Sequence, residues 1–339
     1  MPSADTSTAA PPIVEPSRPA SLRLHAAPAL AGIVLLLLAL APLLVGRYYL
    51  NVILLVLLYT YLGSCWNLIA GYAGQFSLAQ ATFFGLGGYV SVYLFRTYGI
   101  SPWIGLPLGA VAAAGFAAVI GLAVFRYGLK GSYFAIATLA VSEIVRLAFN
   151  NAEALGGGGG MTVPLTVPGF ATMQFGDGPE FYYIFLGLAA FALAFIAWIA
   201  RIPFGYRLRS LRENDVVSAS LGIDNNRNKL AAFVIGAALT APAGTFYAHY
   251  VMFVDPNTFL SFSVMLLIML PTLVGGAGTV LGPLWGAFIM VGTTQLMGSL
   301  TQLPGMSLLV YGVVLILASF GSSGWSRLLR SGRTAGARP

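Results

Sequence analysis

The sequence has very few charged residues. Only 8% of its 339 residues are charged and 58% are hydrophobic, whereas a soluble domain carries roughly a quarter charged residues. This scarcity of charge excludes an ordinary soluble domain. Apolar runs of about 20 residues, the length that crosses a bilayer as a helix, recur through most of the chain. The sequence therefore indicates an integral membrane protein.

Residues that bind metals or act as nucleophiles are also scarce. The single cysteine, Cys65, excludes an internal disulfide. His25 and His249 lie far apart in the sequence and give no metal-ligand spacing. His249 with nearby Asp255 is the one pair that a hydrolase could use, and we interpret it as a histidine at a membrane interface. We expect no catalytic residue, no metal and no cofactor.

No phosphate-binding loop is present. The glycine run 156–160 is followed by Met161, where such a motif requires lysine and then serine or threonine. The chain is therefore not predicted to hydrolyse ATP through a motif of this kind. We interpret the glycine run as a flexible hinge in an outer loop.

The apolar runs predict an all-α polytopic membrane protein, because lipid offers no partner for backbone groups and the runs are too long for barrel strands. Residues 1–27 predict a disordered tail, favoured over a cleaved signal peptide. Residues 28–321 form the membrane domain and 322–339 a basic tail. Ten spans are predicted, at 28–46, 48–68, 76–96, 103–125, 132–150, 181–200, 230–253, 259–275, 280–298 and 304–321.

The basic residues predict the orientation of these spans, since lysine and arginine favour cytoplasmic loops. With the first tail inside, Arg126, Lys130, the connection 201–229 and the basic tail 322–339 all fall on the cytoplasmic side. Both termini are then cytoplasmic. The net charge of +7 follows from this topology, and no nucleic-acid partner is expected.

The connection 201–229 is the largest hydrophilic segment on the predicted inner side. Helical spacing predicts one shared apolar face for Leu208, Leu211, Val216, Val217 and Leu221. Gly222 suits the C-cap of this short helix. The helix is either an interfacial anchor or a docking surface for a cytoplasmic protein.

One span carries both signs of charge. Glu143 and Arg146 can pair at i and i+3, with Asn150 on the same face, and Thr138 and Ser142 extend an adjacent polar stripe. An intramembrane charge needs a partner or a water-lined cavity. The cluster is either a neutralised packing pair or one wall of a polar pathway.

A second polar stretch, "GYAGQFSLAQATFFGLGGY" at 71–89, combines glycines with Gln75, Ser77, Gln80 and Thr82. Glycines permit close packing and a broken helix, and transporters place discontinuous helices at their binding regions. The polar side chains can satisfy freed backbone groups or bind a solute.

The pattern at Phe76-Ser77-Leu78 returns at Phe262-Ser263-Val264. With the predicted topology the first copy lies at the inner face and the second at the outer face. Spans 1–5 and 6–10 therefore predict an inverted 5+5 repeat.

Four motifs, in order, resemble the M-type (Liv-type) membrane permease of branched-chain amino-acid ABC importers. They are the stretch at 71–89, "GSYFAIATLAVSEIVRLAFNN", "LRENDVVSASLGIDNNRNKLAAFVIGAALTAPAG" and "LVGGAGTVLGPLWGAF". The resemblance implies a bacterial inner-membrane protein, surrounded by lipid, that forms a heterodimer with a second permease subunit. Two cytoplasmic ATP-binding subunits and a periplasmic substrate-binding protein complete the implied assembly.

Segment 208–223 resembles the cytoplasmic coupling loop of that family, which rides on the ATPases. The implied ATPase-coupling residues are Arg212, Glu213, Asn214, Asp215, Leu221 and Gly222. Glu213-Asn214-Asp215 departs from the consecutive Glu-Ala-Ala of the wider importer pattern.

The implied function is uptake of branched-chain or related amino acids, powered by the separate ATPases. The candidate substrate-pathway residues are Gln75, Ser77, Gln80, Thr138, Glu143, Arg146 and Asn150. Two alternatives stay open: a urea or short-amide permease of the same superfamily, and an ion-coupled secondary transporter or channel. A membrane-embedded enzyme is disfavoured, because the spans and inner loops lack a cluster of acid–base groups.

Overall fold

The computed structural model describes residues 38–166, 169–175, 179–300 and 312, and of 296–300 only the backbone. The tail 1–27, the basic tail 322–339, span 304–321 apart from Gly312, and span 28–46 up to residue 37 lie outside the described residues. Residues 38–41, the described part of a first compact unit, are helical. Everything below concerns the unit that begins at Pro42.

The described part of this unit is almost entirely helical. Its longer helices are α1 Arg47–Asn67, α2 Gln80–Tyr98, α3 Pro102–Arg126, α4 Ser132–Asn151, α5 Glu180–Ile199, α8 Asn225–Val251, α10 Phe262–Gly275 and α11 Gly282–Leu300. Short helices are α6 Pro203–Glu213, α7 Asp215–Ser220 and α9 Pro256–Phe259, and a π turn at Leu68–Tyr72 follows α1. Among the described residues, six helical segments are long and apolar enough to cross a membrane. The protein is an all-α polytopic membrane protein.

The helix starts follow from local chemistry. The carboxylate of Asp224 accepts a hydrogen bond from Arg227 N at 3.0 Å at the start of α8. Ser261 Oγ accepts from Val264 N at 3.2 Å at the start of α10. Both are the residue types that satisfy the free N–H groups of a first helical turn. Pro203 starts α6, at a position where a missing N–H costs nothing.

The centre of the bundle is a close crossing of α2 and α8. A Cβ atom added at Gly244 would lie 1.8 Å from Phe84 O, and one added at Gly87 would lie 2.0 Å from Ala241 O. Thr245 Oγ1 donates to Gly87 O at 2.9 Å across the same contact. Small residues allow this approach of two backbones, as is common between membrane helices.

Two predicted spans are interrupted in the structure, so their boundaries were wrong. The span predicted at 76–96 begins as a helix only at Gln80, since residues 73–79 have left the helix. The span predicted at 259–275 is divided at Leu260-Ser261 into α9 and α10. A hydropathy pattern gives the length of an apolar segment, but it does not show where the helical backbone hydrogen bonds are interrupted.

The connections sort into two ends of the bundle. At one, the α6 end, Lys130 Nζ lies 3.3 Å from Asp215 Oδ2, which joins the α3–α4 turn to α7. At the other, the strand end, β1 Met161–Thr162 pairs antiparallel with β2 Phe253–Val254. The coupling segment 201–229 therefore begins at the end of the bundle opposite the glycine run 156–160, which lies beside β2.

Candidate functional site

An irregular segment, 73–79, runs through the bundle between the π turn and α2. Trp66 Nε1 donates to Ser77 O at 2.8 Å, and Leu78 N donates to Thr138 Oγ1 at 3.0 Å. Ser142 Oγ donates to Leu78 O at 3.1 Å. Polar side chains of α1 and α4 therefore supply the hydrogen bonds that lipid cannot offer to non-helical backbone.

Three of the predicted pathway residues are fully enclosed by protein. Ser77 and Thr138 are 0% exposed and Gln80 is 1% exposed. Gln80 Nε2 donates to Thr240 Oγ1 at 2.6 Å, so its side chain joins α2 to α8. In this conformation these three residues stabilise the interruption in the helix.

Three oxygen atoms around this segment have no hydrogen-bond partner within the part of the chain that the structure describes. They are Gln75 Oε1, Gln80 Oε1 and Thr82 Oγ1. A buried polar atom without a partner costs free energy. These atoms are therefore available to a water molecule or a polar solute.

A second polar group lies towards the strand end of α4. Arg146 Nε donates to Glu143 Oε2 at 3.0 Å, which confirms the predicted pair. Arg146 Nη1 also donates to Asn257 Oδ1 at 2.7 Å, and Asn150 Nδ2 lies 3.3 Å from the same oxygen. The side chains of Glu143 and Arg146 are 46% and 24% exposed. Among the predicted pathway residues, this pair and Asn150 are the accessible ones.

The sequence did not identify Asn257 as a partner of Arg146, because Asn257 lies in a short polar turn, Asp255-Pro-Asn-Thr, between two predicted spans. Asp255 caps α9 by accepting from Thr258 N at 3.0 Å. Asp-Pro followed by Asn-Thr is a helix-start pattern. The pattern therefore indicates that a new helix begins after Asp255, but it does not indicate that Asn257 contacts Arg146.

The two Phe-Ser segments approach each other at one cavity, while Phe76 and Phe262 are 37% and 47% exposed. Leu78, Glu143, Ser261 and Phe262 line one small cavity of about 10 Å³. The prediction that the segments lie at opposite faces is wrong, because Leu78 and Phe262 line the same cavity. The volume is near the minimum that holds one water molecule, so this cavity is too small for an amino acid in the conformation described.

Helix α6 lies against the bundle at its opposite end. Leu208 and Leu211 are 0% and 3% exposed and belong to the main apolar core. Arg212 Nη1 donates to Gly71 O, in the π turn, at 2.6 Å. This helix is anchored to the membrane bundle by both apolar and polar contacts.

Helix α7 presents its apolar residues outward. Asn214 ends α6 and caps α7, accepting from Val216 N at 2.9 Å. Val216, Val217 and Leu221 are 72%, 54% and 73% exposed. The single apolar face predicted across 208–221 is wrong, because the break at Asn214 separates the buried leucines of α6 from these exposed residues.

The residues around α7 divide between structural contacts and solvent. Asp215 Oδ2 lies 2.6 Å from Lys229 Nζ, whose side chain is 3% exposed. Burial raises the pKa of Asp215, but the hydrogen bonds and charges of Lys229 and Lys130 outweigh it and hold that pKa below its usual value. Gly222, at φ +80°, follows α7 in the left-handed conformation, as its predicted capping role requires. Glu213 is exposed.

A cavity of about 520 Å³ lies between the start of α6 and the start of α8. Phe204, Arg207, Asp224 and Arg227 contribute to its walls. Asp224 and Arg227 pair across 3.0 Å with largely exposed side chains. The Asp224–Arg227 pair therefore neutralises one of the two arginines in the cavity wall.

The family described as "Branched-chain amino acid transport system / permease component" matches residues 48–319. The chain is 30% identical over 309 residues to the high-affinity branched-chain amino acid transport system permease protein LivM of Escherichia coli K12, covering 84% of this chain and 71% of that protein. The LivM protein of Salmonella typhimurium is 30% identical with the same shares, over 308 residues. The probable branched-chain amino acid transport permease protein LivH of Methanocaldococcus jannaschii is 26% identical, covering 75% of this chain and 85% of that protein. No solved structure matches the chain.

Proposed function

The chain belongs to the permease-component family of branched-chain amino acid transport systems, and from this premise we propose that it is the membrane subunit of an ATP-driven importer of branched-chain or related amino acids. Its role is that of a permease, and its relatives carry the names of transport subunits. Separate subunits hydrolyse the ATP in this proposal. The observation that carries it is the division of the coupling loop into an anchored α6 and an outward-facing α7.

The proposed ATPase contact is the exposed surface of α7 with Glu213. Val216, Val217 and Leu221 are large apolar side chains on a short hydrophilic segment, where water exposure is unfavourable. Exposed apolar residues rimmed by polar ones mark protein interfaces. Asn214, Asp215 and Gly222 shape this surface, since they cap, tether and end α7.

The proposed substrate pathway runs along the accessible polar face of α4. The Glu143–Arg146 pair offers a negative and a positive group to an amino-acid head group, and Asn150 and Gln75 offer amides. Ser77, Gln80 and Thr138 hold the adjacent chain break in position. Apolar Leu78 and Phe262 beside Glu143 suit an aliphatic tail.

The proposed topology is ten spans in an inverted 5+5 repeat, with both termini cytoplasmic and the α6 end on the cytoplasmic side. The course of α2 and α10 supports the repeat. A Cβ at Gly85 would lie 2.2 Å from a methyl group of Leu260, while Ala81 and Met265 line one cavity. The helices that follow the two Phe-Ser segments thus run antiparallel, as inverted repeats require.

The proposed assembly contains a second permease subunit, two cytoplasmic ATP-binding subunits and a periplasmic binding protein, in the bacterial inner membrane. The similarity of the chain to proteins named LivM and LivH supports pairing between two permeases of one family. The domain organisation is proposed as a cytoplasmic tail at 1–27, a membrane domain at 28–321 containing the coupling loop 201–229, and a basic cytoplasmic tail at 322–339.

Purification of the chain together with the subunits encoded beside it tests the proposal. We expect ATPase subunits to copurify with the wild type and to be lost from the double variant Val216→Asp, Leu221→Asp. The variant Val111→Ala is the control, because Val111 is an exposed apolar residue of α3 outside the coupling loop. Copurification that survives the double variant would remove α7 from the ATPase contact.

Uptake of labelled leucine and labelled urea by the reconstituted complex tests the cargo. Leucine uptake that requires ATP supports the proposal. Uptake of urea alone would replace the amino-acid assignment by the short-amide alternative, and ion-driven transport by the isolated chain would favour a secondary transporter.

A further inference from the structure

The π turn at Leu68–Tyr72 is the point at which α1 stops being an ordinary helix. Its backbone pattern changes there, and Gln75 N then donates to Ile69 O at 3.0 Å as the chain turns into segment 73–79. The carbonyl of Gly71 accepts a hydrogen bond from Arg212 Nη1 at 2.6 Å. Short π segments inside α-helices occur frequently at functional sites.

The same guanidinium reaches a second membrane connection. Arg212 Nη1 also lies 3.3 Å from Ala277 O, in the loop 276–281 between α10 and α11. A Cβ at Gly278 would lie 2.2 Å from Arg212 Nη1 and 2.9 Å from Gly71 O, and Gly278 has φ +84°, so this position favours glycine. One side chain of α6 therefore holds the end of α1 and the end of α10 together.

Asn67 completes this contact from within α1. Its Oδ1 accepts from Gly278 N at 2.7 Å and its Nδ2 donates to Thr279 O at 2.8 Å. Asn67 is 0% exposed. We call the group Asn67, Gly71, Arg212, Ala277 and Gly278 the junction.

Helix α6 holds the π turn through other contacts as well. The Arg209 guanidinium lies over the Tyr72 ring, 5.2 Å from its centroid. Leu208 and Leu211 are buried in the same core cluster as Leu68 and Ile69. Since close-packed interiors have low compressibility and transmit strain, a displacement of α6 is passed to the π turn.

We propose that Arg212 is the positioning residue that transmits the movement of α6 to both interruptions in the membrane helices. Segment 73–79 begins at the π turn and leads directly to Leu78, and α10 runs from Ser261 to the loop that Arg212 holds. A displacement of α6 is therefore delivered at the junction to both chain segments that meet beside Glu143. This inference rests on the proposed function, because it needs partner ATPases to displace α6 and α7.

The coupling ratio of the assembled complex tests the proposal. In proteoliposomes containing the full complex, leucine transported per ATP hydrolysed is measured for the wild type, Arg212→Ala and Arg212→Lys. We expect a fall of at least about fivefold for Arg212→Ala, the lower end of ordinary coupling effects, with unchanged copurification of ATPases. Arg212→Lys should restore part of the ratio, since lysine can donate to a carbonyl.

Arg207→Ala is the matched control. It removes the same charge from the same helix, at a side chain that lines the open cavity and takes no part in the junction. We expect its coupling ratio to equal that of the wild type. An equal loss in Arg207→Ala, a normal ratio in Arg212→Ala, or loss of the ATPases from Arg212→Ala would each overturn the role of Arg212.

A distance measurement tests the same proposal without changing Arg212. Spin labels are placed at Tyr206 of α6 and at Phe76, both exposed, in a chain whose single cysteine, Cys65, is replaced by alanine. The distance between the labels should stay constant through the ATP cycle, and in Arg212→Gln it should change between nucleotide states. If the distance changes between nucleotide states while Arg212 is intact, the inference about Arg212 is wrong and the proposed function stands. If the wild-type chain binds no ATPase subunit, the proposed function itself is wrong.

Discussion

Asp215 and Lys229 form an ion pair, with Oδ2 of the carboxylate 2.6 Å from Nζ of the ammonium, at the point where α7 contacts the start of α8. The lysine side chain is 3% exposed and the aspartate side chain is 20% exposed. Asn225 Nδ2 donates to Asp215 O at 2.7 Å beside the pair. The exposed surface of α7 is therefore fixed to the bundle by a charge contact at its first residue.

The variant Asp215→Asn should destabilise the protein, because it leaves the Lys229 charge buried without its partner. We expect a loss of about 1–3 kcal/mol in the free energy of unfolding, seen as a lower thermal midpoint in detergent. Asp224→Asn is the control: its pair with Arg227 is exposed, and asparagine also caps helices. If the thermal midpoint of Asp224→Asn falls as far as that of Asp215→Asn, burial of the ion pair is not the cause of the destabilisation.

The contribution of this pair should depend on pH in one direction. The pKa of Asp215 in the folded protein lies below the ordinary value of 3.8. A depressed carboxylate pKa stabilises the folded state above the unfolded pKa, and the stabilisation is lost as pH falls through the folded pKa. The difference in thermal midpoint between the wild type and Asp215→Asn should stay constant from pH 7 to about pH 5 and shrink below about pH 4. If the difference in thermal midpoint instead widens as the pH falls, the pKa of Asp215 is not lowered in the folded protein.

Replacing Gly244 by alanine should disrupt the crossing of α2 and α8. The added Cβ would meet Phe84 O at 1.8 Å, and overpacking of this kind costs about 1–3 kcal/mol or more. Gly115→Ala in α3 is the control, since a Cβ there would have no heavy atom within 4 Å. We expect that control to be neutral or more stable by up to about 1 kcal/mol. Thermal midpoints in detergent measure both.

The variant Glu143→Gln should reduce leucine uptake while the protein remains in the membrane. It weakens the charge-assisted contact with Arg146, and charged hydrogen bonds contribute about 1.5–3 kcal/mol, so uptake should fall about tenfold or more. Asn151→Ala is the control, because Asn151 is an exposed polar residue of the same helix whose side-chain hydrogen bond, among the described residues, goes to Leu147 O one turn earlier. Unchanged uptake in Glu143→Gln would show that the pair serves helix packing.

The variant Glu213→Lys should abolish ATP hydrolysis stimulated by transport. Glu213 is exposed at the end of α6, so the reversal of charge acts on a partner and not on the bundle. The amount of protein in the membrane should equal that of the wild type. Normal stimulated hydrolysis would reduce the coupling loop to an anchor.

Local sequence features predicted much of the fold. Four predicted spans, at 48–68, 103–125, 132–150 and 181–200, begin and end within one residue of α1, α3, α4 and α5, and the span predicted at 280–298 begins two residues before α11. Runs of apolar residues give this information because each span satisfies its own backbone and depends little on its neighbours. The Glu143–Arg146 pair was predictable for the same reason, since i and i+3 meet within one helix.

The glycines in the stretch at 71–89 were interpreted as permitting a broken helix, and residues 73–79 are not helical, but the contacts of this stretch were not predictable. Gln80 bonds Thr240, and Leu78 bonds Thr138 and Ser142, across 60 residues or more of chain. No local spacing encodes such pairs. The contacts of Arg212 were not predictable either, because its acceptors, Gly71 O and Ala277 O, are distant in the sequence.

The sequence alone determined that this chain spans a membrane, that it contains no phosphate-binding loop, and where its intramembrane charges lie, because composition and short-range spacing control these properties. The tertiary structure decided which surface of the coupling loop is buried, which polar residues remain accessible, and that the two Phe-Ser segments meet. These features depend on where separate helices cross and on which backbone groups are left to be satisfied there. Only the folded bundle brings the donors and acceptors together.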